Sequence, residues 1–233
     1  MNVEKAIIGP EEDGISHVAN VAVNGASGNT VKSSIKADIL SQWKHQQHTE
    51  FLMLQYNYGT SRGKVDSNKS FLHLRHRTDL NKQWAVEVLA QVGRDPFARL
   101  SRRTLLGGGL RLTAFEKAGV AAVYIGLGGF YEHERLRVTA TTNDTSSRLW
   151  RSSNYLVVKR RFNEQLRINS TTYYQPAINQ LNDYRLLEEM SVYVKIMDNI
   201  DLKLSLDFTY DAKPPQTVKP VDLRYSSGLE LRF

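Results

Sequence analysis

Cysteine is absent from the 233 residues, which rules out a disulfide framework and a thiolate metal site together. Also absent is any run of about 18 apolar residues, so no membrane-spanning helix is expected. Proline is scarce, at 6 residues, and no Pro/Gly-rich linker or block of like charge divides the chain. A single domain is the simplest organisation. Apolar residues at three-and-four spacing are sustained nowhere, so helices are not expected either. Nor is there a basic run: the net charge of +7 comes from 31 Lys and Arg dispersed among 24 acidic residues. Charge dispersed in this way argues against a nucleic-acid surface. The mean hydropathy of -0.43 reads as hydrophilic, yet a membrane β-barrel can share that value because each strand shows only weak alternation.

What is present is alternation. In the last stretch, Leu223, Tyr225, Leu229, Leu231 and Phe233 fall on one face of a strand, and Arg224, Ser226, Gly228, Glu230 and Arg232 on the other. Leu202 to Asp211 alternates without exception, and similar stretches recur along the chain, about twelve in all. Short turn signals separate alternate pairs, at Lys44–Gln47, Asn81–Gln83, Phe115–Gly119, Asn163–Gln165 and Met197–Asp201. Between the other pairs stand the Gly28-Asn29 turn and longer connections, at Ser61–Asn68, Arg94–Arg102, His133–Ser147 and around Pro214-Pro215. The phase of Leu149–Phe162 is open, since Tyr155 and Val157 compete with Leu156, Val158 and Phe162. His76 and Glu188 interrupt otherwise apolar faces, which calls for a β-bulge or a covering partner.

Alternation alone does not say which face looks inward. Four features turn the apolar face outward, to lipid. About twelve strands enclose a lumen wider than side chains of an eight-stranded barrel fill. The strands are long enough to cross a bilayer, for which about 9 to 11 tilted residues suffice. Short and mostly longer connections alternate, as when the two barrel ends face different compartments. Trp43, Tyr58, Trp84, Tyr131, Tyr174, Tyr184, Tyr210 and Phe233 sit at the ends of apolar faces, the headgroup level that aromatic rings favour. The expected fold is therefore all-β, a single antiparallel transmembrane β-barrel over residues 16–233 with short periplasmic turns and longer extracellular loops. Residues 1–15, with Pro10 and four acidic side chains, form an N-terminal periplasmic segment and lack the apolar core of a signal peptide. A signal is expected to have been removed upstream of this numbering.

With the apolar faces outward, the lumen is lined by Lys32, Lys36, Asp38, Arg75, Arg77, Asp79, Glu87, Arg111, Glu132, Arg167, Arg185, Glu189, Lys195, Lys203, Asp207, Arg224, Glu230 and Arg232. Both signs are interleaved with a basic excess. That composition fits either a salt-bridge network that props the barrel, or a narrow aqueous path with a mild preference for anions. Arg94, Arg99, Arg102, Arg103, Arg135 and Arg137, with Arg148 and Arg151, are expected at the exterior rim. Guanidinium forks match phosphate, so lipopolysaccharide is a candidate contact there. The closing strand, ending in Phe233, is the expected handle for the barrel-assembly machinery. His45/His48 and His73/His76 lack ligand geometry, and no cofactor is expected. His133 lies between Glu132 and Glu134, but no nucleophile motif accompanies it, so catalysis is not expected.

The segments Gly25–Thr30, Leu105–Leu110, Tyr173–Pro176 with Asp183–Arg185, and Tyr210-Asp211 with Pro214-Pro215 and Asp222 together resemble the YdiY-like salt-induced outer membrane protein family, domain of unknown function 481 (DUF481). The resemblance runs from about residue 16 to Phe233. It implies a barrel in the outer membrane of a Gram-negative bacterium, linked to envelope or salt-stress adaptation, and it brings no catalytic residues; a monomer is expected. The reading that follows is a porin-like protein. Its alternatives are a non-conducting structural barrel and an envelope hydrolase centred on His133.

Overall fold

The structure, a computed structural model, describes residues 13–28, 31–137, 146–215 and 218–233. Twelve strands follow one another: β1 (Gly14–Ala26), β2 (Lys32–His45), β3 (His48–Ser61), β4 (Lys64–Asp79), β5 (Trp84–Asp95), β6 (Leu100–Lys117), β7 (Ala121–Leu136), β8 (Ser146–Arg161), β9 (Leu166–Ala177), β10 (Gln180–Met197), β11 (Ile200–Asp211) and β12 (Val221–Arg232). Each is antiparallel to its neighbour in sequence, and β12 returns to β1, which closes the barrel. Closure removes the unpaired edges that an open sheet would present. The closing seam is short, pairing Val18 with Arg232 through Val21 with Leu229, and it is extended by reciprocal backbone hydrogen bonds between His17 and Phe233 at 2.8 and 3.0 Å.

One face of every strand is aliphatic and aromatic and stands exposed: Ile39, Leu54, Leu74, Val88, Leu106, Leu127, Leu156, Leu204 and Leu229. So continuous an apolar outer surface is what a bilayer covers and water does not. The inner face carries the buried charge, together with two small apolar clusters, Val18–Leu40–Phe51–Met53 and Tyr155–Val157–Tyr173. The phase of β8 is thereby resolved, with Tyr155 and Val157 inward and Leu156 and Val158 outward.

The connections differ from expectation at one end. Ser61–Asn68 is mostly strand, because Arg62 and Gly63, at φ of 50° and 73°, make a two-residue reversal between β3 and β4. Positive φ at both positions matches the right-handed twist of the flanking strands. Arg94–Arg102 shrinks to a 3-10 turn over Pro96–Ala98, capped by the Asp95 carboxylate accepting from the Ala98 amide at 3.2 Å. Arg102 and Arg103 therefore belong to β6. The barrel also begins two residues before the expected boundary, at Gly14. Asn29 of the Gly28-Asn29 turn and residues 138–145 of the His133–Ser147 connection lie outside the described residues, as do residues 1–12.

Candidate functional site in the barrel lumen

Among the described residues, three extended ionic networks cross the lumen, and each joins strands that are not neighbours. In the first, Glu132 on β7 accepts from Arg103 Nε at 2.7 Å, Arg151 Nε at 3.0 Å and Arg185 Nη1 at 2.7 Å. Arg151 continues to Asp183 at 2.8 Å, and Arg185 to Glu134 at 3.0 Å and Asp211 at 2.9 Å. In the second, Arg167 on β9 bridges Asp201 at 2.6 Å and Glu230 at 2.5 Å. Lys203 meets the same Glu230 at 3.4 Å and Asn20 of β1 at 3.0 Å, so this network also straddles the seam. In the third, the Tyr155 hydroxyl donates to Glu87 at 2.7 Å from three strands away, with Arg75 and Arg111 at 3.4 and 3.6 Å from the same carboxylate.

Glu132 and Glu230 have no exposure at all. A carboxylate taken out of water at that depth is tolerated only when several charge-assisted donors surround it, and three arginines at one site or an arginine and a lysine at the other supply them. Aromatic rings complete the cages: Arg167 lies 4.1 Å from the Tyr193 centroid and Arg111 3.9 Å from that of Tyr124. Tyr155 fits because its cross-strand neighbour is Gly126, where any Cβ would overlap the phenol ring.

Of the charged residues expected in the lumen, Arg75, Arg77, Glu87, Arg111, Glu132, Arg167, Arg185, Lys203 and Glu230 are buried there, as are Asp38 and Glu189. Arg232 pairs with Asp201 at 3.2 Å, Lys36 with Asp207 at 3.7 Å, and Asp79 with Arg77 at 3.3 Å near one mouth. Lys32 and Lys195 are exposed at strand ends, and Arg224 pairs with its own strand's Asp222 at 3.1 Å. Lys195 reaches the Asp198 carboxyl at 2.7 Å in the β10–β11 turn, and its hydrogen bond and charge hold that carboxyl below its usual range.

The rim arginines divide. Arg94, Arg102, Arg135 and Arg137 are exposed, whereas Arg99 is buried and donates to the Arg137 carbonyl at 3.2 Å. Arg103 and Arg151 point inward into the first network and are not rim residues. The reason is register: along β6 and β8 the odd-numbered positions, Arg103 and Arg151 among them, face the lumen. By the same alternation Glu132 and Glu134 face inward and His133 outward, so the three do not converge on one point. Sequence reasoning missed Tyr155, Tyr193, Asp183 and Asp201. The signal that could have found Tyr155 is the glycine run of β7, which leaves room for one large ring on the next strand.

The profile of the family described as "Protein of unknown function, DUF481" matches residues 19–233. The chain belongs to this family. No curated protein matches the sequence. Among solved structures, this DUF481 barrel is similar to the NanC porin, at 11% identity and a TM-score of 0.58 over 93% of this chain and 98% of that one. It is also similar to the translocator domain of the autotransporter NalP from Neisseria meningitidis, at 11% identity and 0.54 over 94% and 87%. At that identity the likeness concerns the fold, a closed antiparallel barrel of outer-membrane type.

The DUF481 barrel also gives the two polar residues on its outer face hydrogen-bond partners within the sheet, with no bulge beside them. Glu188 accepts from the Ser170 hydroxyl at 2.6 Å and from that of Thr172. The register runs unbroken there, its shifts lying instead at Gln180/Tyr184 and Lys195/Met197. His76 meets Glu50 at 2.5 Å and Thr78 at 2.8 Å, close to the turn end of the barrel.

Proposed function

We propose that this chain sits in the outer membrane of a Gram-negative bacterium as a monomer and provides a narrow passive path for small solutes, with a mild preference for anions. The observation that carries this reading is a lumen walled by charge inside a barrel whose outside is apolar. A barrel built only for rigidity is better filled with aliphatic side chains, since buried ion pairs add little net stability over well-packed apolar groups. The turns at Gln46-Gln47, 80–83, 118–120, 162–165 and Asp198-Asn199 face the periplasm, as do the start of β1 at Gly14 and the end of β12 at Arg232, and the exposed Arg94, Arg102, Arg135 and Arg137 meet lipopolysaccharide phosphates at the opposite rim. The closing strand β12 with Phe233 is the contact for the barrel-assembly machinery. The link to salt stress rests on the resemblance alone.

A second reading is favoured by one observation: Glu132, Glu230, Tyr193 and Val157 are wholly enclosed, as in a lumen held shut. Recording the purified protein in a planar bilayer decides between them. Discrete steps whose reversal potential in a KCl gradient lies toward that of chloride support the path, and persistent silence supports the closed scaffold.

A further inference from the structure

At the turn end of the barrel, inside the ring of strands, lies a cavity of about 200 Å³ lined, among the described residues, by eight Lys or Arg and two acidic side chains. Its walls include the buried Arg77, Arg111 and Lys159. Arg111 stacks on Tyr124, with Lys159 at 5.7 Å from the same ring, so the ring holds two cations side by side. Lys117 and Arg161 are exposed at its rim. The two acids stand to the side, Asp79 beside Arg77 at 3.3 Å and Glu116 at 3.5 Å from the Tyr124 hydroxyl. The cavity toward the loop end, of about 320 Å³, is different: Lys36, Lys69 and Arg224 face Asp38 and Asp207, close to neutrality. Of these two cavities, the one at the turn end carries the positive excess.

Like charges gathered in a cleft with low-dielectric walls focus their field, and the pairings of Arg77 with Asp79 and of Arg111 with Glu87 leave the lining with a net positive excess. Guanidinium groups fixed by ring stacking add donor forks of the right spacing for oxyanions. We propose that this vestibule is a binding site for a small multivalent oxyanion, one bearing two or more phosphate or carboxylate groups. The inference deepens the reading of the lumen as an anion-favouring path, and it stands whether or not solute crosses.

The test is calorimetric titration of the purified full chain, in zwitterionic detergent without lipid, with pyrophosphate and with citrate at constant ionic strength. Saturable binding with one equivalent is expected, and chloride should give none. Adding phosphatidylglycerol to the micelles distinguishes a lipid headgroup, which would compete, from a free solute site, which would be indifferent. Lys117→Gln with Arg161→Gln, both at exposed positions, should weaken binding about tenfold. Lys159→Gln should do the same, and Lys64→Gln at the other end should not. Absence of saturable heat, or equal affinity in the rim variant and Lys64→Gln, overturns the proposal. Silent bilayers with intact binding would sink only the path, and conduction without binding only the site.

Discussion

Glu132 shows how much one side chain holds in this lumen. Its two oxygens answer Arg103, Arg151 and Arg185, on three different strands, with no water-exposed surface. Glu132→Ala leaves three cations facing each other and is expected to cost about 3–5 kcal/mol, the range for breaking a buried pair from one side. Urea unfolding in micelles measures it, and a loss below 1 kcal/mol would mean that water already screens the site. Gly126 has a complementary role. Gly126→Ala drives a methyl into the Tyr155 ring, so Tyr155 must leave Glu87; the variant should fold poorly, and Gly126→Ala combined with Tyr155→Ser should recover heat-modifiable mobility. If the double variant is no better than the single one, space for the ring is not what the glycine supplies.

At the scale of the strand, alternation made the outer face legible, because the period of two is a property of the backbone and survives any tertiary context. It failed where both faces were apolar, at Tyr155–Val158, since a ring packed against a carboxylate and a ring packed against lipid look alike in sequence. It also misplaced Arg103 and Arg151 at the rim: arginines near a strand end read as rim contacts, and only the pairing of β6 with β7 and of β7 with β8 turns them inward. Glu188 was read as an anomaly because the hydroxyls that satisfy it come from β9, 16 and 18 residues away. Ser170→Ala with Thr172→Val should therefore destabilise the barrel in liposomes by about 1–3 kcal/mol, the cost of an unsatisfied buried group, and adding Glu188→Leu should restore it. Additive losses in the triple variant would show that the carboxylate has another partner. At the loop end, replacing Arg94, Arg102 and Arg135 by alanine should lower co-purified lipopolysaccharide, measured by phosphate content, while Arg99→Ala, whose guanidinium is buried, should not.

For the whole molecule the question is what the closed ring is for. Twelve strands give a lumen broad enough to need filling, and here it is filled by side chains that reach strands three places along: Tyr155 to Glu87, Arg167 to Glu230, Arg185 to Glu132. Such chords resist collapse of the ring while leaving polar space at both mouths, and their removal separates propping from blocking. Glu132→Ser with Arg151→Ser deletes both large side chains at one level and nearly conserves charge. If that level is the constriction of a conducting path, unitary conductance in a planar bilayer should rise several-fold and anion preference should persist, because the turn-end cations are untouched. If the lumen is a closed scaffold, the same variant should open steps where the parent is silent. A variant that remains folded and passes no more current than the parent would place the barrier elsewhere, at the Arg167–Glu230 level, and would overturn this assignment of the narrowest point.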